Sequence, residues 1–189
     1  MTGNASTARS LELTGGVTTI LLVEDQPDAQ QMLESIVQQV YPGAVSTACA
    51  TVAHALMQVD RPWSLALIDL RLLDGSGVDV LRAFKARHAQ VPAVVTTMYS
   101  DDASVFGALQ AGADGYLLKS EPPQMLADAL RRIANEELPL SPAVARRVLR
   151  YFRASPGADL LPPDSSNEAL TPRETEVLAA IGEGLSIQE

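Results

Sequence analysis

A short apolar run followed by a helix-patterned segment recurs five times along the chain, and this alternation restricts the fold more than any other feature. Runs of this length without polar interruption are typical of strands that are buried on both faces. The predicted strands are Thr18–Val23, Ala44–Cys49, Leu65–Asp69, Ala93–Thr97 and Gly115–Leu118. The helices expected after them cover Pro27 to about Val40, Val52–Val59, Val78–Arg87, Asp102–Ala111 and Pro122 to about Glu137. Short connections between such units predict an α/β fold with a five-stranded parallel sheet, doubly wound by helices on both faces.

The composition fits a folded domain and excludes some classes of partner. The chain has 189 residues, of which 47% are hydrophobic, and a net charge of -9. A strongly acidic protein is not a general binder of nucleic acid or anionic membranes. The single cysteine, Cys49, excludes an internal disulfide and fits a reducing cytoplasm. Because no apolar run approaches the length of about 18 residues that spans a bilayer, we expect a cytoplasmic protein without membrane contact.

Polar residues stand where the predicted strands end. Ligands of such sheets bind beyond the carboxyl ends of the strands, so these side chains are expected to converge. They are Glu24, Asp25, Asp69, Thr97 and Lys119. Three neighbouring carboxylates repel one another unless a cation lies among them, and Mg²⁺ prefers such oxygen ligands. A lysine and a hydroxyl beside them can hold a phosphoryl group, so the set predicts phosphoryl transfer to a carboxylate.

The same residues resemble, in this order, the receiver domain of two-component response regulators. The resemblance rests on Glu24-Asp25, Asp69, Gly77, Thr97 and the segment Gly112–Lys119, and it covers roughly residues 18–137. It implies a flavodoxin-like (βα)5 fold. It also implies that Asp69 is the phosphoacceptor, that Asp25 binds Mg²⁺ directly and Glu24 through water, and that the backbone carbonyl of Arg71 is a further metal ligand.

The resemblance also assigns the residues that respond to phosphorylation. Thr97 is expected to bond a phosphoryl oxygen after the transfer, and Lys119 to pair with the phosphoryl group. Tyr116 is the expected aromatic switch, which turns inward when Thr97 moves. The donor would be a phosphohistidine on a sensor histidine kinase. A domain of this kind phosphorylates itself once and is not a turnover enzyme.

The alternation of strands and helices ends after the fifth strand–helix unit. The pattern of Ala143–Ala154 predicts a helix with four arginines, Arg146, Arg147, Arg150 and Arg153. These arginines suit a solvated or self-associating helix face better than a nucleic-acid contact. Self-association on activation is therefore a further expectation. Ser155–Asn167 is rich in proline and serine and reads as a flexible linker. The four expected regions are a disordered leader (1–16), a receiver domain (17–137), a helical and flexible linker (138–167) and an incomplete LuxR-type helix-turn-helix domain (168–189).

The last of these regions, "LTPRETEVLAAIGEGLSIQE", resembles the opening of the helix-turn-helix domain of NarL/FixJ (LuxR-type) regulators. The third helix, which reads the major groove in that family, does not follow. Five acidic residues and only Arg173 as a basic one follow residue 167, so this segment cannot neutralise phosphates. We expect promoter DNA to be a partner of a full-length parent protein but not of this truncated chain.

Three positions depart from the receiver pattern. Leu73 stands where the family usually has proline, and Ser120 follows the lysine where proline in a cis peptide is common. Met98 replaces a usually small residue. Arg71 and Tyr99 are expected to flank the mouth of the site and to set how fast water removes the phosphoryl group.

Other functions need residues that this sequence lacks. A haloacid-dehalogenase-like phosphatase needs an aspartate two residues after its nucleophile, where this chain has Arg71. A nucleotide- or flavin-binding module needs a phosphate-cradling loop after the first strand, but "EDQPD" is acidic and has no glycine. A stand-alone receiver that acts only through protein contacts remains open as an alternative.

Overall fold

The computed structural model describes residues 18–133, 137 and 139–154, and it contains the five parallel strands that the sequence predicts. The strands of this sheet are β1 (Thr19–Val23), β2 (Val45–Cys49), β3 (Leu65–Ile68), β6 (Ala93–Thr97) and β7 (Gly115–Leu118), and a separate two-stranded hairpin is formed by β4 (Arg71–Leu72) and β5 (Gly75–Ser76). The helices are α1 (Pro27–Val40), α2 (Val52–Gln58), α3 (Gly77–Arg87), α4 (Asp102–Gln110), α5 (Pro123–Ile133) and α6 (Pro142–Ala154). Their bounds differ from the expected ones by at most one residue, where helix ends fray, except at the end of α5, which runs to Ile133, while the described residue Glu137 lies outside a helix.

The order of strands in the sheet is β2-β1-β3-β6-β7. The chain therefore runs from β1 to one edge and then returns to build the other side, starting with β3. The direction reverses between β1 and β3, and ligand sites of open α/β sheets lie at such a switch point, outside the carboxyl ends of the strands. The fold thus places the ends of β1 and β3, with the acidic residues that follow them, at the centre of the expected site.

Helices cover both faces of the sheet. Alternate side chains of β1, such as Ile20 and Leu22, pack in one core with the apolar faces of α1 and α5. Helices α2 and α3 contact each other, and α3 also contacts β3, β6 and α4. The four residues Ile20–Val23 are completely buried, which explains why the strand reads as a continuous apolar run.

Two features were not predicted from the sequence. One is the β4–β5 hairpin, which pairs Arg71 with Ser76 and Leu72 with Gly75 directly after β3. The other is the segment Pro139–Ser141, which lies along the edge strand β7. There the Tyr116 N–H donates to the Pro139 carbonyl at 2.8 Å, and the Ser141 N–H donates to the Tyr116 carbonyl at 2.9 Å. The last strand of the sheet is therefore not a free edge along this segment.

The compact unit that contains the sheet ends at Ser141, and α6 belongs to the next unit. Helix α6 confirms the helix predicted over residues 143–154 and extends it by one residue at its start. The expected leader (1–16), the flexible linker (155–167) and the helix-turn-helix segment (168–189) lie outside the described residues. Within the described part of the chain, every helix is too short or too polar to cross a bilayer.

Candidate functional site

The site begins where β1 and β3 end. The Asp69 N–H donates to the Val23 carbonyl at 2.9 Å, and the Glu24 N–H donates to the Cys49 carbonyl at 3.0 Å. The ladder of parallel-strand hydrogen bonds therefore continues one residue beyond β1 and β3. Because this backbone is fixed on both sides, the carboxylates of Glu24 and Asp69 leave the sheet at the same edge, as the sequence predicts.

A buried lysine joins these two carboxylates. The Lys119 ammonium lies 2.6 Å from Glu24 Oε2 and 2.7 Å from Asp69 Oδ2. The three side chains are 5%, 0% and 6% exposed, so the ion pairs are shielded from water. The Lys119 N–H donates to the Thr97 carbonyl at 2.8 Å, which anchors the lysine to the end of β6. Residues that are up to 95 positions apart in the chain thus meet in one cluster.

Burial and the charges of this cluster shift the pKa values of Glu24 and Lys119. Burial raises the pKa of Glu24 above its usual 4.5, and the Lys119 ammonium offsets only part of that effect. Burial is also the largest single influence on Lys119 and lowers its pKa, but the combined hydrogen bonds and charges of Asp69 and Glu24 raise that pKa overall. The lysine is therefore held in its charged form, whereas Glu24 resists ionisation.

Three carboxylates in this cluster can hold a divalent cation. One oxygen from each of Glu24, Asp25 and Asp69 lies within 4.8 Å of the others. Hard oxygen ligands in this number, with room for water, suit Mg²⁺. One ammonium balances only part of their charge, so the donor set fits the metal that the sequence predicts. The backbone of Arg71 borders the same place, because its N–H points to Asp69 Oδ1 at 3.4 Å.

Thr97 ends the neighbouring strand β6, and Tyr116 lies within β7. Thr97 is the last residue of β6 and is completely buried. Its Oγ1 lies 3.5 Å from the Tyr99 N–H, at the limit of a hydrogen bond. Tyr116 lies on β7 opposite Val95, is also completely buried, and donates its hydroxyl to the Tyr99 carbonyl at 2.7 Å. Both residues are thus linked to the Tyr99 backbone, whereas the acidic residues and Lys119 form the cluster itself.

Arg71 and Tyr99, which the sequence predicts at the mouth of the site, contact each other. The Arg71 guanidinium stacks over the Tyr99 ring, 3.8 Å from its centroid. The Arg71 N–H points to Asp69 Oδ1 and the Tyr99 N–H points to Thr97 Oγ1, so the backbone of each residue borders a member of the site. Leu73 is 86% exposed and Met98 is 59% exposed, so neither closes the site by packing.

Glycine is required at position 77 for steric reasons. A Cβ on Gly77 would lie 1.8 Å from the Asp69 carbonyl oxygen, far inside any real contact. The start of α3 therefore packs directly against the backbone of the phosphoacceptor candidate. The peptide bonds of the described residues are all trans, and this includes the bond between Lys119 and Ser120.

Two polar contacts near the site were missed by sequence reasoning. Asp74 accepts hydrogen bonds from the Val52 and Ala53 N–H groups, and the Ser141 hydroxyl accepts from the Leu118 N–H while donating to Glu121. The Asp74-Gly75 pair is a turn signal, but such a signal does not name a partner. Both contacts join residues at least 20 positions apart.

Comparison with known proteins agrees with this geometry. The family model described as "Response regulator receiver domain" matches residues 20–131. The response regulator protein VraR of Staphylococcus aureus is 32% identical over 156 residues, which cover 82% of this chain and 68% of that protein.

Solved structures show the same fold. A LuxR family DNA-binding response regulator from Silicibacter pomeroyi matches with a TM-score of 0.56 and 25% identity, over 67% of this chain and 98% of that one. A LuxR family two-component response regulator from Aurantimonas sp. SI85-9A1 matches with a TM-score of 0.64 and 23% identity, over 74% of this chain and 100% of that one. The chain therefore belongs to the response regulator receiver domain family of two-component systems and is related to regulators of the LuxR type.

Proposed function

We propose that the protein is a phosphorylation-activated response regulator in which Asp69 accepts a phosphoryl group from a sensor histidine kinase. One observation carries this proposal: the Asp69 carboxylate lies at a strand end, 2.7 Å from a buried ammonium and beside two further carboxylates. An isolated buried carboxylate would be costly, so its retention among like charges supports a chemical role.

The transfer can be written with the residues at hand. A carboxylate oxygen of Asp69 attacks the phosphorus of a phosphohistidine, a phosphorus–oxygen bond forms, and the phosphorus–nitrogen bond breaks. The electron pair of that bond returns to the imidazole, and the product on Asp69 is an acyl phosphate. Lys119 orients the attacking carboxylate before the reaction and pairs with the phosphoryl oxygens after it.

Mg²⁺ is proposed as the cofactor, with Glu24, Asp25, Asp69 and the Arg71 carbonyl as its protein ligands. When bound, the ion neutralises negative charge on the phosphoryl oxygens and on the acidic residues. The residues themselves supply the rest: Asp25 and Asp69 present oxygens, and Glu24 lies behind them in a completely buried position.

Thr97 and Tyr116 are proposed to transmit the new charge. The Thr97 hydroxyl oxygen accepts a long contact of 3.5 Å from the Tyr99 N–H, and its own O–H can donate to a phosphoryl oxygen. Tyr99 is also the residue whose carbonyl holds the Tyr116 hydroxyl. A shift of Thr97 therefore reaches Tyr116 through one shared backbone segment.

The proposed output is transcriptional control in the cytoplasm, through a LuxR-type DNA-binding domain and self-association on activation. Support comes from the LuxR-family regulators that this chain resembles in structure. The acyl phosphate is lost to water, so the domain acts as a timed switch and not as a turnover enzyme.

The test is phosphorylation by a small phosphodonor. The chain is incubated with acetyl phosphate and Mg²⁺, and its intact mass is measured. The wild type should gain one phosphoryl group, Asp69→Asn should gain none, and Asp101→Asn, which changes an exposed aspartate outside the cluster, should behave as wild type. Equal mass gain in wild type and Asp69→Asn would contradict the proposal.

A further inference from the structure

The loop between β3 and α3 carries both Asp69 and Arg71. Its centre is the β4–β5 hairpin, whose two turn residues are Leu73 and Asp74. Leu73 is 86% exposed and contributes almost no packing. It also lacks the fixed φ that a proline would give a turn, so the chain itself does little to restrict the loop.

Asp74 joins the hairpin tip to α2 by two hydrogen bonds. Its Oδ1 accepts from the Val52 N–H at 2.7 Å, and its Oδ2 accepts from the Ala53 N–H at 3.1 Å. These donors belong to the first turn of α2, where backbone N–H groups have no partner within the helix. Thr51 accepts from the next one, the His54 N–H, at 3.1 Å. Asp74 therefore completes the start of α2 from another part of the chain.

The contact is directional because both carboxylate oxygens are used. A carboxylate that binds two neighbouring N–H groups is fixed in orientation, not only in distance. The two backbone hydrogen bonds lower the pKa of Asp74 below its usual value, so the side chain is ionised near neutral pH. Asp74 is exposed, but its partners belong to a helix that is anchored through the completely buried Ala55.

The hairpin transmits this anchor to the acidic cluster. Asp74 holds its tip, and the other end begins at Arg71, two residues after Asp69. Pairing of Arg71 with Ser76 and of Leu72 with Gly75 makes the tip and the base move as one unit. Leu72 is buried, which adds a second point of support. A tip released from α2 would leave the Arg71 backbone free to sample other positions beside Asp69.

We propose that Asp74 is a positioning residue, which holds the β4–β5 hairpin against the start of α2 and so keeps the Arg71 carbonyl placed for the metal. This inference rests on the proposed function, since it concerns the same metal site. A protein whose binding-competent loop is only partly populated shows an apparent affinity reduced by that fraction. Loss of Asp74 should therefore weaken metal binding without any change in the metal's side-chain ligands.

The first measurement is Mg²⁺ binding to the unphosphorylated chain by titration calorimetry. We expect Asp74→Ala to raise the Kd for Mg²⁺ about fivefold, because a charged anchor with two hydrogen bonds is lost. Asp74→Asn keeps one acceptor oxygen and should show a smaller increase. Asp79→Ala is the matched control: it removes an exposed aspartate of α3 that forms an ion pair with the exposed Arg82, and its Kd should equal that of wild type.

A donor-side variant separates positioning from a general loss of stability. Val52→Pro removes one N–H that Asp74 binds, and proline is well suited to the first position of a helix. The preceding Thr51 already has the extended backbone, with φ of -140° and ψ of 151°, that a residue before proline prefers. The double variant Val52→Pro/Asp74→Ala should bind Mg²⁺ no more weakly than Asp74→Ala alone. Amide hydrogen exchange at Arg71 and Leu72 should be faster in Asp74→Ala without metal.

The outcomes distinguish this inference from the function on which it rests. If wild type binds Mg²⁺ and Asp74→Ala binds it equally well, the positioning role is wrong while the proposed function stands. If Asp74→Ala and Val52→Pro weaken binding additively, the two groups act separately and the inference is also wrong. If wild type itself does not bind Mg²⁺, both the metal site and the inference are overturned.

Discussion

Replacing Lys119 with methionine should destabilise the metal-free protein, because two buried carboxylates would lose their shared partner. The ammonium lies 2.6 Å from Glu24 and 2.7 Å from Asp69, and none of the three side chains is more than 6% exposed. Methionine keeps an unbranched apolar chain that adapts to the same space. The substitution therefore removes the charge with little change in packing.

The expected magnitude follows from the burial of the pair. Removing one partner of a buried ion pair costs about 3 to 5 kcal/mol, since the other charge stays uncompensated. Protonation of Glu24 limits the loss, because burial already raises the pKa of that group. We therefore expect the free energy of unfolding to fall by about 3 kcal/mol, the lower end of that range. For a domain of this size, such a loss corresponds to a fall in Tm of roughly 10 °C.

The assay is urea unfolding followed by circular dichroism, with a chelator present and at neutral pH. Arg82→Met is the matched control, because it breaks an ion pair with Asp79 at the surface. The Arg82 side chain is 62% exposed and the Asp79 side chain is 63% exposed. That control should cost less than about 0.5 kcal/mol. If Lys119→Met unfolds at the same urea concentration as wild type, the carboxylates are not held by this lysine and the reasoning is refuted.

Three further predictions concern the surroundings of the cluster. The folded-state pKa of Glu24 lies above its usual 4.5, so the contribution of Glu24 to stability is fully present below pH 4.5 and is lost as pH rises through the folded pKa. The urea midpoints of the metal-free wild type and of Glu24→Gln should therefore diverge as pH rises through that window. Parallel pH profiles of the two proteins would contradict this prediction. Arg71→Ala and Tyr99→Ala should each shorten the half-life of the acyl phosphate, because each removes one partner of the stack between the Arg71 guanidinium and the Tyr99 ring. The half-life is followed by intact mass, and an unchanged half-life would oppose this role. Ser141→Ala should cost about 1 to 2 kcal/mol, because it leaves the buried Leu118 N–H without a partner, and urea unfolding that matches wild type would disprove it.

The fold and the cluster could be predicted because their signals are local in sequence. The strand β3 is a run of four apolar residues that ends at a carboxylate, and β1 repeats the same pattern before Glu24. Once parallel strands are inferred, their carboxyl ends must share one edge of the sheet. The meeting of Glu24, Asp69 and Lys119 follows from that topology, although nothing in the sequence gives the 2.6 Å and 2.7 Å distances.

The features that were missed depend on contacts between distant residues. The strands of the β4–β5 hairpin are two residues long, too short for any periodicity to show. The sequence pattern assigns Pro139–Ser141 to the predicted linker (138–167), because the alternation of strands and helices ends before it. Its pairing with β7 uses the backbone N–H and carbonyl of Tyr116 and the backbone N–H of Leu118, which lie 23 or more positions earlier. Likewise, Asp74 reads as a turn residue, and its binding to α2 is visible only in three dimensions.

The most direct test of the central claim is to locate the phosphoryl group on the chain. After phosphorylation with acetyl phosphate and Mg²⁺, the acyl phosphate is reduced with borohydride, and the peptides are sequenced by mass spectrometry. We expect a single reduced aspartate, at position 69, and none when Mg²⁺ is removed by a chelator. Reduction at another carboxylate, or at Asp69 regardless of metal, would show that Asp69 is not a metal-dependent phosphoacceptor.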